Sequence, residues 1–79
     1  MTQDDFKNAG LQRLFKKGAH DFVLLHKSGK AIAFQLDQNG NVVIVNRLTD
    51  VSFRSTGLLL IGDGWKCVGP GLEYSRLFE

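Results

Sequence analysis

The spacing of apolar positions divides the chain into a helical start and a strand-rich remainder. Near the N-terminus, Leu11, Leu14 and Phe15 recur at i, i+3 and i+4, which is the spacing of one face of an α-helix. Gly18 follows, and glycine is the residue that most often ends a helix. The pattern therefore predicts an N-terminal helix over residues 1–18.

After the predicted helix the pattern alternates with the period of a β-strand. Residues 30–37 place apolar side chains at every second position, and Asn39-Gly40 is a strong signal for a hairpin turn. The run VVIV at 42–45 has no polar face, so we expect it to be buried on both sides. The predicted strands are, in order, 21–27, 30–37, 42–46, 51–54, 58–61 and 65–68.

These elements predict a single α+β domain. The helix is followed by a small antiparallel β-meander of about five or six strands within residues 19–68. A sheet of this size either stays open, with the helix over one face, or curls into a barrel. Residues 69–79 fit a last strand or a helical turn equally well.

Composition predicts the cellular compartment of the protein and favours self-association. The chain has 79 residues and a formal net charge of +2, so it has room for one domain and no charge excess that would favour disorder. Its start is acidic where a signal peptide is basic, and one cysteine cannot form an internal disulfide. We therefore expect a cytoplasmic protein outside the membrane. A core this small without cross-links favours a homo-oligomer.

No residue pattern indicates catalysis, a metal or a cofactor. Cys67 lies in an ordinary strand run, where a free cysteine is usually a small buried apolar residue. His26 alternates with Phe22 and Leu24 and is interpreted as a histidine at the rim of the sheet. His20 and His26 lack the further ligands that a zinc site requires. We expect the protein not to be an enzyme.

Positive charge is concentrated in the first part of the chain. Residues 1–30 hold six basic and three acidic side chains. If the helix and the first hairpin lie side by side, the basic groups form one patch that could contact nucleic-acid phosphates. The residues of this predicted patch are Arg13, Lys16, Lys17, Lys27 and Lys30.

The remaining hypothesis is protein recognition. Several predicted strands are apolar on both faces, and one helix cannot cover the whole sheet. The aromatic residues expected near the surface, and hence as anchors for a partner, are Phe53, Trp65, Tyr74 and Phe78. The leading expectation is a small binding module that docks on a protein partner or on itself, a type common among phage and mobile-element accessory proteins. The alternative is a weak nucleic-acid-binding protein.

Overall fold

Five antiparallel strands form one open sheet, with a helix on one face and a 3-10 helix on the other. The computed structural model describes residues 10–79. The strands lie in the order β4-β3-β2-β1-β5, so the first four form a meander and the fifth joins its opposite edge. The elements are β1 (Gln12–Lys17), β2 (Asp21–His26), β3 (Ala31–Leu36), β4 (Val42–Leu48), helix α1 (Phe53–Gly62), β5 (Lys66–Gly69) and 3-10 helix η1 (Leu72–Phe78).

The prediction of an N-terminal helix that runs to residue 18 is wrong. Residues 12–17 form the interior strand β1, which pairs with β2 on one side and β5 on the other. Leu14 and Phe15 are both buried, but on opposite faces of the sheet. A helix would bury only one stripe, whereas a strand between two layers buries both side chains, so tertiary packing outweighs the local helical spacing. The rest of the predicted helix, residues 1–9, lies outside the described residues.

The core has two halves, one on each face of the sheet. On the first face, which we call the η face, Leu14, Leu24 and Phe34 belong to a buried cluster that η1 covers. On the second face, the α face, Phe15, Leu25 and Ala31 are buried beneath α1. Each half is small, but together they remove both faces of the central strands from water. This two-sided burial is the main apolar stabilisation of the fold.

The hairpins that join the meander agree with the sequence patterns. Gly40 has φ 81° in the turn between β3 and β4, and Gly29 has φ 100° in the turn between β2 and β3. Both angles lie in the left-handed region that favours glycine. The Asp37 carboxylate accepts hydrogen bonds from the backbone N–H groups of Asn39 and Asn41, which tighten the β3–β4 turn.

The sheet does not close into a barrel. β4 and β5 lie at opposite edges, and neither has a second strand partner among residues 10–79. The expectation that the VVIV run is buried on both faces is also wrong: Val43 and Val45 are 48% and 60% exposed. Only the alternate side chains, Val42 and Ile44, pack against the η-face cluster. An apolar edge strand has the composition of a central one, so its position could not be read from composition.

A helix replaces two of the predicted strands. Residues 53–62 form α1, where strands were predicted at 51–54 and 58–61. Ser52 begins the helix, because its side chain accepts a hydrogen bond from the backbone N–H of Ser55 at 3.2 Å. Phe53 and Leu60 pack against the α-face cluster, seven residues apart on one side of the helix.

Gln12 attaches the C-terminal segment to the sheet. Its side chain is fully buried on β1, and its amide nitrogen donates to the carbonyl oxygens of Pro70 and Gly71. Its amide oxygen accepts a hydrogen bond from the Ser75 hydroxyl at 3.1 Å. A buried amide has to find such partners, because an unpaired one is costly. The amide of Gln12 therefore determines where the chain turns from β5 into η1.

The turn itself requires glycine at position 71. Gly71 has φ 64°, and a Cβ atom built there would lie 2.8 Å from the Cβ of Leu14. The backbone thus lies directly on a core residue of β1. This close approach brings three of the apolar side chains of η1 onto the η face, namely Tyr74, Leu77 and Phe78.

Replacement of Gln12 by leucine tests this attachment. We expect Gln12→Leu to lower the free energy of unfolding by about 1–3 kcal/mol, because it leaves buried carbonyl groups without a donor. The measurement is urea unfolding followed by circular dichroism. Gln35→Leu is the matched control, since Gln35 is exposed on β3 and bonds only to Asp21 at the surface. Equal stability of the two variants would contradict the role of Gln12.

Candidate functional site

The basic residues of the predicted patch lie at two opposite ends of the sheet. Lys16 and Lys17 end β1 beside the turn into β2. Lys27 and Lys30 flank the turn between β2 and β3, next to the start of β1, where the N–H of Lys27 bonds to Leu11. Because β1 and β2 are antiparallel, the full length of the strands separates the two pairs. Arg13 lies nearer the Lys27 end and its guanidinium stacks 5.9 Å from the ring centre of Phe53.

A different lysine joins the first pair. In the register of β1 with β5, Lys16 lies directly opposite Lys66. Lys16, Lys17 and Lys66 line one cleft of about 380 Å³, together with Gly18, Gly64 and Val68. Two like charges opposite each other on neighbouring strands are unfavourable unless an anion lies between them. No sequence pattern predicted that Lys66 belongs to this cleft, because Lys66 is 49 positions from Lys17 and only the strand order of the sheet brings the two together.

Aromatic rings support two of these lysines. The Lys16 ammonium lies 5.6 Å from the ring centre of Phe22, and that of Lys17 lies 6.0 Å from the ring centre of Trp65. Lys17 also forms an ion pair with Asp63 at 3.5 Å, and both side chains are largely exposed. An exposed pair of this kind contributes little to stability. The cleft therefore retains an excess of positive charge.

The four aromatic residues predicted as partner anchors are all half-buried against the chain's own core. Phe53 and Trp65 pack on the α face. Tyr74 and Phe78 pack on the η face, where the Tyr74 ring lies 4.9 Å from that of Phe34. Each ring therefore already has an intramolecular role, and its part in protein binding stays a prediction.

Large exposed apolar side chains lie elsewhere, on the outer side of α1. Leu58, Leu59 and Ile61 are 64%, 74% and 56% exposed, and no residue of α1 is fully buried. A helix on the surface of a protein usually has polar groups on this side. The only charged side chain of α1 is Arg54. The outer side of α1 thus forms an apolar surface of three aliphatic residues, which we call the α1 surface.

His26 lies in a small cleft of about 240 Å³ between the β2–β3 turn and η1. Its Nδ1 accepts a hydrogen bond from the backbone N–H of Ser28 at 3.0 Å, and its ring meets Phe78 edge to face. Burial, and then the positive charge of Lys30, lower the pKa of His26 below its ordinary value of 6.5. The Ser28 hydroxyl is 2.8 Å from the same Nδ1. These bonds are local to the turn, so we interpret the His26–Ser28 pair as a turn cap.

Cys67 is exposed on β5, contrary to the expectation of burial. It pairs with Phe15 of β1, and β1 separates it from His26 on β2. Between residues 10 and 79, no three His, Cys, Asp or Glu side chains converge in a way that could hold a metal ion. Two candidate binding features therefore remain, the lysine cleft and the α1 surface.

Comparison with known proteins adds no relative. No family model, curated protein or solved structure matches the chain. Over the part of the chain that the structure describes, no helix has the length and apolar character needed to cross a membrane.

The lowered pKa of His26 gives a pH dependence with a definite sign. The unfolded chain takes up a proton near pH 6.5, before the folded one, so the contribution of neutral His26 is complete above that pH and declines as the pH falls through the folded pKa. We expect wild type to lose more free energy of unfolding than His26→Gln when the pH falls from neutral to below the folded pKa of His26, as measured by urea unfolding.

A Lys30→Gln variant should raise the pKa of His26 in an NMR titration, and an unchanged value would contradict the assigned effect of Lys30.

Proposed function

We propose that the protein is a small, non-enzymatic binding module of the cytoplasm that docks on a protein partner through the α1 surface. The observation that carries the proposal is the exposure of Leu58, Leu59 and Ile61 on a helix whose other side already packs on the sheet. Clusters of large exposed aliphatic side chains are uncommon on monomeric surfaces except at interaction sites. The partner's chemistry follows from the surface: an apolar groove with few charges that accepts a short helix.

The inner side of α1 supports this interpretation because it keeps the helix in place without help from its outer side. Gly57 lies against the sheet, where a Cβ atom would be 3.6 Å from the Phe15 ring. The small residue lets the helix approach β1 closely, and Phe53 and Leu60 pack on either side of it. The leucines that face outward are therefore not required to hold the helix, and their apolar character calls for another explanation.

Replacement of Leu59 by lysine tests the α1 surface. We expect Leu59→Lys to leave the free energy of unfolding within about 0.5 kcal/mol of wild type, because the side chain is exposed. Binding to a partner should weaken at least about tenfold, because a charge at the centre of an apolar interface must be desolvated. The measurement is affinity capture followed by calorimetric titration with the purified captured protein.

Val68→Lys serves as the control, since it introduces the same charge at an exposed apolar position on β5, away from the α1 surface. A captured protein that binds wild type and Leu59→Lys equally would refute the proposal. So would a large loss of stability in Leu59→Lys, because Leu59 would then pack against this chain itself.

A specific observation also favours a second candidate, a weak nucleic-acid-binding surface. Lys16, Lys17 and Lys66 line one cleft at the end of β1 and β5. Clustered lysines can contact the phosphates of a nucleic acid. The candidate differs from the sequence-based patch, since it includes Lys66 and excludes the lysines at the other end of the sheet.

Charge reversal at the two ends of the sheet separates this candidate from general electrostatic attraction. We expect Lys66→Glu to abolish any binding of labelled single-stranded or duplex nucleic acid, and Lys27→Glu to leave most of it. Binding should also fall steeply as salt increases, because phosphate contacts release counterions. The measurement is fluorescence anisotropy at two salt concentrations. Equal effects of the two substitutions would show that net charge, and not the cleft, determines binding.

A further inference from the structure

The two edge strands of the sheet differ in how they are protected from pairing with another strand. β5 has four residues, begins with the exposed Lys66 and is followed by Pro70, which lacks a backbone N–H. Short length, an edge lysine and a proline are the usual devices that prevent a sheet edge from accepting another strand. The β5 edge is thus closed to strand addition.

The β4 edge has almost none of these devices. It has seven residues, no proline and three exposed aliphatic side chains, Val43, Val45 and Leu48. Its only charged residue is Arg47, whose guanidinium donates to the Leu77 carbonyl on the η face and is therefore held away from the edge. One bulge interrupts its pairing with β3 at Val45. Among residues 10–79, nothing pairs with its outer edge.

We propose that β4 pairs antiparallel with β4 of a second copy of this chain, around a two-fold axis at Ile44. The inference does not depend on the α1 surface and goes beyond the proposed function. Antiparallel pairing of identical edges satisfies the free backbone groups of both strands and joins two five-stranded sheets into one continuous sheet.

The side chains select this register. With Ile44 opposite Ile44 of the second copy, Val43 lies opposite Val45 on the α face, and the pair occurs twice by symmetry. Every exposed valine then gains an apolar neighbour directly across the new strand pair, which is the unit of stabilisation in a sheet. A shift of two residues would place a valine opposite Asn41 or Arg47 instead.

The position of the charges and a neighbouring apolar groove also favour a second copy of this chain as the partner of β4. The two copies of Arg47 stand at opposite ends of the strand pair, beyond the bulge at Val45, and do not repel each other. Beside Val45, an apolar groove of about 230 Å³ continues along the α face past Val23 and Ala33 to Trp65.

The mass of the protein in solution tests the pairing. Because a single strand pair buries less area than a standard interface, we expect a weak dimer that forms between micromolar and near-millimolar concentration. Sedimentation equilibrium on the full chain should show a mass that rises from 8.8 kDa towards twice that value. Val45→Lys should keep the protein monomeric over the whole range. Val68→Lys, the same change at an exposed valine on the other edge strand, should leave the dimer intact.

Cross-linking tests the register. In a Cys67→Ser background, a mixture of Val43→Cys and Val45→Cys proteins should form a disulfide-linked dimer under mild oxidation faster than either protein alone. Both positions are exposed, so neither variant disturbs the core. Faster cross-linking of one variant with itself would overturn the proposed register.

Three results would overturn the proposal as a whole. The first is a protein that remains monomeric at near-millimolar concentration, with rapid hydrogen exchange at the β4 amides that point away from β3. The second is a monomer in which these outward-pointing amides are protected, since the chain's own residues would then cover the edge. The third is a dimer that Leu59→Lys disrupts and Val45→Lys does not, which would assign self-association to the α1 surface.

Discussion

The rest of the structure depends on the buried amide of Gln12. It lies on the interior strand β1 and satisfies its donor and acceptor with the backbone at residues 70–71 and the hydroxyl of Ser75. Together with the packing of Tyr74, Leu77 and Phe78 on the η face, that connection fixes the position of η1. A polar group thus determines where an apolar layer lies, because a buried amide is tolerated only in the geometry that satisfies its hydrogen bonds.

The sheet has one thin layer on each face, and this arrangement also explains which surfaces stay free. The sheet needs both faces covered, and α1 and η1 are each too small to cover a whole face. The α1 helix lies over the central strands and β5 and leaves the α face near β4 open, while its own outer side stays apolar. The α1 surface and the β4 edge therefore have one structural cause, because two short helices cannot cover a five-stranded sheet completely.

The placement of charge follows from sheet order in the same way. Lys16 and Lys17 lie near Lys66 because β5 crosses to the edge beside β1, a step that the helix α1 makes possible by spanning the sheet. Had the fifth strand continued the meander next to β4, Lys66 would lie at the far edge. The lysine cleft is thus a property of topology, and the local sequence around each lysine carries no sign of it.

The sequence by itself determined the antiparallel hairpins, since Asn39-Gly40 and Ser28-Gly29 specify turns through backbone conformations that need no distant contact. It also determined the strand character of most of residues 21–46, whereas the predicted fold class, an N-terminal helix followed by a meander, is wrong because the helix follows four of the strands. Only the tertiary structure decided that residues 12–17 are a strand, that residues 53–62 are a helix and that the sheet stays open. Leu14, Phe15 and Leu60 suit either element locally. Their state depends on which layer covers them, and most residues of that layer are far away in the chain.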